Sequence, residues 1–380
     1  MEKAKISAAQ LFVLIVLFEL SSSLLIFPGQ SAEQDAWIAI LFGTVGGLAL
    51  FMMHHFFYQV NPDASPYKTL MNIFGKPVGW SMTFIYIVYY CYIAARVLRD
   101  FGEMLLTSAY PNTPIIFANG LLIAVCIFTV RKGIEVLARS GELLFGIMFW
   151  LAVTGLILIV SSGLIKPKEL LPILGNGPGP MFHAVFTQTL YFPFGEIIAF
   201  TLILPYLKEK KLAKKAGLLG IAISGLILAF NVALNISVLG VDLNMRSRFP
   251  LLSTIQTIQV AEFLVRLDVF FMLVLVIGGF FKMSIFMYAV TEGVTVLFKL
   301  KNPSKVVHVI GIIILILSVS IASNISEHVK EGIEFVPLYV HLPMQVILPA
   351  FICIVTYVKM KKIKKRPCNG LTPPLGHPLT

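Results

Sequence analysis

The chain has 380 residues, of which 57% are hydrophobic and only 13% charged, with a mean hydropathy of +0.87. Soluble domains carry about 25% charged residues, so this composition excludes an ordinary soluble enzyme and describes a polytopic membrane protein. The formal net charge of +11 invites a nucleic-acid reading, but the basic residues sit in loops between apolar runs, without an aromatic platform, and that is a topology pattern.

Ten apolar spans follow one another at 7–27, 36–57, 78–108, 114–130, 133–162, 181–207, 216–239, 255–298, 306–322 and 336–360. Runs of about 20 residues cross a bilayer as helices. Lys3 and Lys5 ahead of the first run resemble a signal peptide, yet the run flows into further spans and is read as a retained helix. The segment 61–77, with Pro62, Pro66 and Gly75, reads as a loop with one short helical turn, and 166–180 as an irregular connection. Alternate loops carry 21 Lys and Arg on one side and five on the other. The positive-inside rule then places both termini in the cytoplasm. Two halves of five spans, at about 7–162 and 181–360, must be inverted relative to each other because five is odd. The chain is thus expected to be one transmembrane domain over 1–365 with a disordered cytoplasmic tail at 366–380.

Two spans are interrupted. In the sixth, Tyr191-Phe192-Pro193-Phe194-Gly195-Glu196 places a proline, a glycine and an acid inside a hydrophobic run. Pro193 has no N–H to donate, Gly195 eases unwinding, and Glu196 is ionisable where the solvent is hydrocarbon. Lipid offers no hydrogen bonds to freed backbone, so such a break is a candidate binding site. The first span has a counterpart, from Glu19 through Ser21-Ser22-Ser23 to Pro28. Interruptions at corresponding positions of two halves point to a site near the middle of the membrane. Glu19, Ser21, Ser22, Ser23, Tyr191, Phe192, Phe194, Gly195 and Glu196 are the expected ligand-binding residues. A carboxylate suits serine hydroxyls and the start of a half-helix near Leu24, and an ammonium suits freed carbonyls around Tyr191–Phe194. Serine hydroxyls equally bond back to their own helix.

A second set of charges forms a gating or charge network. Arg96–Asp100 and Arg99–Glu103 in the third span are spaced as i,i+4 pairs, as is Glu262–Arg266 near Asp268 in the eighth. Lys282 lies deep in that eighth span with no acid three or four residues away. It must pair across helices, face a hydrated cavity, snorkel toward the membrane surface or lose its proton. Facing such a cavity, Lys282 would act as a fixed positive charge.

Cys91, Cys126, Cys353 and Cys368 have no metal-ligand spacing. No His is spaced from a nucleophile in a recognisable catalytic pattern, and no Walker-type loop is present. The expectation is a non-enzyme without metal, cofactor or nucleic-acid partner.

The pieces Ser7…Gln10-Leu11-Phe12, Leu24-Leu25-Ile26-Phe27-Pro28, Gln34-Asp35-Ala36-Trp37-Ile38, Phe192-Pro193-Phe194-Gly195-Glu196 and Arg266…Asp268 together resemble the spore-germination permease family. These are the B subunits of endospore germinant receptors, within the amino acid/polyamine/organocation superfamily. The resemblance implies an all-α, LeuT-like fold of ten helices in a 5+5 inverted repeat, with the first and sixth broken. It also implies a spore inner-membrane location, an amino-acid-like germinant, and A-type and C-type partner subunits. Where the superfamily carries glycines at the first break, this chain has Ser21-Ser22-Ser23. A proton-coupled amino-acid or amine transporter is the alternative function, since it needs the same pocket.

Overall fold

A computed structural model describes residues 5–257 and 267–364. In chain order the helices are α1 (Ala8–Leu25), α2 (Ala36–Val60), α3 (Pro66–Phe74), α4 (Lys76–Ser108), α5 (Ile115–Lys132), α6 (Ile134–Ser161) and α7 (Pro178–Ala184). They continue with α8 (Ala213–Leu239), α9 (Val241–Arg246), α10 (Pro250–Gln256), α11 (Leu267–Leu297), α12 (Pro303–Ser320), α13 (Ile325–Glu334) and α14 (Leu348–Lys364). Among the described residues nine helices are long and apolar enough to cross a bilayer. The tenth crossing is the interrupted sixth span, which contains no continuous helix. It runs from α7 through a widened π turn at Val185–Thr189, a turn, and a 3-10 segment at Phe194–Leu202.

Polar residues ahead of the first apolar run set where its helix starts. Ser7 caps α1 by accepting from Gln10 N at 3.1 Å, while Gln10 Oε1 accepts from Ser7 N at 2.9 Å. This reciprocal box satisfies two backbone donors that would otherwise be orphaned. The loop expected at 61–77 holds the two-turn helix α3, introduced by Pro66 at its first position. Connection 166–180 is irregular as expected, and Asp35 holds it by accepting from Leu174 N with both carboxylate oxygens at 3.0 and 3.1 Å.

The core sits where α1, α4 and α11 meet, with α2 packed along α8 and the broken sixth span between α2 and α11. Small residues permit the closest approaches. Gly43 and Gly47 of α2 lie against Thr189 and Phe194, so the break nests in a groove on α2. Thr189 Oγ1 donates to Ala39 O at 3.0 Å in that groove. At the N-terminal face Ile6 pairs with Leu207 as a single parallel bridge, with Ile6 N donating to Tyr206 O at 3.0 Å and Lys208 N to Ile6 O at 2.9 Å. The start of the first span is thereby tied to the end of the sixth.

Candidate functional site

Lys282 stands at the middle of α11 and is fully buried. Its Nζ lies 2.5 Å from Glu196 Oε2 of the broken sixth span and donates to Ser22 Oγ of α1 at 2.8 Å. The rings of Phe18 and Phe192 flank the ammonium at 5.1 and 4.8 Å. Of the four options open to Lys282, pairing across helices is the one taken. A charge pair buried in this way persists only with good geometry and further contacts, here the hydrogen bond to Ser22 Oγ and the cation–π contacts with the two rings.

The first interruption differs from expectation. Helix α1 runs unbroken through the serine triplet to Leu25, and the chain departs only at Ile26, whose N–H still donates to Ser22 O at 2.8 Å. The reason is the back-bonding alternative: Ser23 Oγ donates to Glu19 O at 2.7 Å, and Ser22 is engaged by Lys282. Ser21 Oγ and both carboxyl oxygens of Glu19 are buried without a hydrogen-bond partner among the described residues. Hence Ser21 and Ser22 reach the core as side chains, while the unwound backbone begins after them.

The second interruption falls where the sequence puts it. Tyr191 N and Phe192 N both donate to Gln188 O, at 3.1 and 3.0 Å, closing the turn before Pro193. Phe194 is fully buried against α2, and Gly195 lies so close to Gln345 Oε1 that a methyl group would collide with it. Gln345 donates to Tyr89 Oη at 2.8 Å, and Tyr89 and His341 Nδ1 are 2.9 Å apart. This polar cluster, behind the break, had no distinguishing spacing in the sequence.

A cavity of about 60 Å³ adjoins the pair, lined by Ser22, Glu196, Phe192 and Gln188 on one side and by Arg96 and Asp100 on the other. The expected Arg96–Asp100 pairing is not made. Arg96 instead meets Glu331 at 3.2 Å and donates to His328 O at 2.6 Å, while Asp100 meets His328 Nε2 at 2.7 Å. Helix α13 lies over this end of α4, and its groups outcompete a same-helix neighbour that must share the helix surface. Arg99 does pair with Glu103, at 2.7 Å, and also donates to the carbonyls of Ser318 and Val319. Glu262 and Arg266 lie outside the described residues, as does the side chain of Asp268. His328 and Glu331 were missed because α13 is polar and short, though Asn324 at its start and its one-sided apolar spacing are legible.

On the other side of Lys282, Phe18 packs edge-on to Phe200 at 5.2 Å and to Phe286 at 5.1 Å, and Phe286 stacks on Tyr90 at 6.0 Å. All four are buried. Phe286 is about one turn along α11 from Lys282, so this aromatic layer packs beside the buried pair. Among the described residues no group of three or more His, Cys, Asp or Glu is placed to hold a metal ion.

The spore germination protein family, the spore permeases, matches residues 5–326. This chain belongs to that family. It is 57% identical to spore germination protein KB of Bacillus subtilis (strain 168) over 365 residues, 96% of this chain and 98% of that protein. Spore germination protein B2 of the same organism is 26% identical over 305 residues, 79% of this chain and 82% of that one. Among solved structures, MhsT in complex with L-phenylalanine superposes with a TM-score of 0.66 at 14% identity, covering 94% of this chain and 90% of that one. That likeness places this spore permease in the LeuT-like fold, with the interrupted segment at Tyr191–Glu196 at its centre.

Proposed function

We propose that this spore permease is the membrane-embedded subunit of a germinant receptor and that it binds a small germinant, an amino acid, in the cavity beside Lys282 and Glu196. The carrying observation is the buried Lys282–Glu196–Ser22 cluster, which joins α1, α11 and the broken span at the cavity wall. A zwitterion suits a lining that holds Arg96 and Asp100 at one end and Glu196 with its lysine at the other, because no net charge is added to the interior. Phe192, Ile26 and Val97 bound the side-chain space. A ligand exchanging hydrogen bonds with this cluster shifts the balance between conformations of the bundle, and A-type and C-type subunits read the change. The membrane is the spore inner membrane, with 1–365 as one transmembrane unit and both termini cytoplasmic.

The test is binding of labelled amino acids to the reconstituted protein, paired with germination of a deletion strain carrying variants. A hydrogen bond to a charged group is worth about 1.5–3 kcal/mol, so Glu196→Gln weakens apparent affinity about tenfold to a hundredfold. Unaltered ligand dependence in both Glu196→Gln and Ser22→Leu, at normal levels of folded protein, places the ligand elsewhere. A second reading, proton-coupled secondary transport, is favoured by a further cavity, which Tyr206 at the end of the sixth span helps to line. Uptake into proteoliposomes separates the two, because a receptor saturates with ligand without accumulating it.

A further inference from the structure

That second cavity, of about 610 Å³, opens between α3, the ends of α5 and α11, and the start of α12. Lys68, Arg131, Lys299 and Lys301 stand around it, all exposed. Among the described residues none of these four is in an ion pair. The one acid among its described lining residues, Glu292, is already partnered within the fold. Topology asks only that such loops be positive. It does not ask that cations from three separate segments converge on one concave space.

Nor does topology account for the hydroxyls that face it. Ser65 is 1% exposed, lines the cavity, and its Oγ has no hydrogen-bond partner among the described residues. Thr295 Oγ1, on the α11 wall, is in the same condition. A buried hydroxyl left unmatched is costly, so its retention points to a partner supplied from outside the chain. Three helices also begin at this cavity: α3 after Ser65, α6 after Gly133 and α12 after Asn302, none with a side-chain hydrogen bond at its cap. Helix starts carry partial positive charge and favour anions. Helices α5 and α11 end here as well, where Arg131 and Lys299 stand.

We infer that this cavity is a binding site for a phosphate-bearing anion, either a small molecule with a phosphomonoester or diphosphate group or the headgroup of an anionic lipid. Four cations outside any ion pair among the described residues, two unmatched hydroxyls and three helix starts fit an anionic group with several acceptor oxygens. Such a ligand bridges α3 to the α11–α12 connection and stabilises the conformation in which this cavity is open. No residue lines both this cavity and the one beside Lys282, so the site does not depend on which germinant binds there.

Full-length protein in phosphatidylcholine nanodiscs, titrated with pyrophosphate and followed by calorimetry, tests it. Saturable binding is expected, about tenfold weaker or more in Lys299→Gln/Lys301→Gln and a few-fold weaker in Ser65→Ala. Lys214→Gln/Lys215→Gln, an exposed basic pair outside the cavity, leaves it unchanged. In a second arm, phosphatidylglycerol replaces part of the phosphatidylcholine. A rise in Tm lost in the Lys299/Lys301 variant, without pyrophosphate binding, supports the site and identifies the headgroup as its source. Should the Lys299/Lys301 variant fold poorly, Ser65→Ala and Lys68→Gln carry the same comparison. Absence of a saturable response to either probe, or equal loss in the Lys214/Lys215 control, overturns the assignment.

Discussion

Lys282 and Glu196 illustrate what a charge costs inside this bundle. Both are buried, so removing one partner strands the other in a medium that cannot solvate it, at a cost of about 3–5 kcal/mol, whereas removing both together is far milder. Lys282→Met and Glu196→Gln are each expected to lower the unfolding temperature in detergent, and the double variant to recover most of the loss. Additive losses would show that the two side chains do not act as a pair. Because the lysine ammonium already supplies a fixed positive charge between α1 and α11, ligand binding is expected to be independent of sodium. A steep sodium dependence of binding to the purified protein would contradict this. The isolation of Lys282 along its own span was legible, but it left pairing across helices as one option beside a hydrated cavity, snorkelling and loss of the proton. The identity of the outer partners was not, because Arg96 had an acid at i+4 in the sequence while the groups it uses, His328 O and Glu331, lie over 230 residues away. Spacing along one helix shows which side chains can meet, and packing decides which do.

Among the elements, the two interruptions separate according to how their backbones are satisfied. Pro193 removes a donor outright, so the sixth span must leave the α-helical pattern near it, and its place was fixed by local chemistry. Three serines remove no backbone donor: Ser23 bonds back, Ser22 turns to Lys282, and α1 persists to Leu25, shortly before Pro28. Position Gly195 tests how tightly the break is held. Gly195→Ala sets a methyl group against Gln345 Oε1, and overpacking of this kind costs about 1–3 kcal/mol. The variant is expected to lose stability and ligand response together, and Gly195→Ala/Gln345→Ala to regain part of both. Measured as unfolding temperature and binding, recovery in the double variant assigns the damage to that one contact, and its absence assigns it elsewhere in the turn.

For the molecule as a whole, composition and the count of apolar spans were sufficient to give an all-helical membrane fold, because a bilayer leaves the backbone few alternatives. What they could not give is which cavities exist, since these depend on side chains meeting across helices far apart in the chain. The charge asymmetry of the loops makes the proposed orientation testable: Cys368 is expected to be shielded from an impermeant thiol reagent added outside, and Asn176→Cys to react. The reverse labelling would overturn that orientation. The tie between Ile6 and Leu207 has a consequence for genetics. It consists of main-chain bonds from Ile6 N to Tyr206 O and from Lys208 N to Ile6 O, so every residue except proline can make it. Ile6, Tyr206 and Leu207 are also buried, so alanine at any of them reports lost packing and leaves the main-chain latch itself intact. Proline at Ile6 or at Lys208, each of which deletes one donor, or loss of the segment itself would expose in a phenotype that the two interrupted spans are fastened at one end.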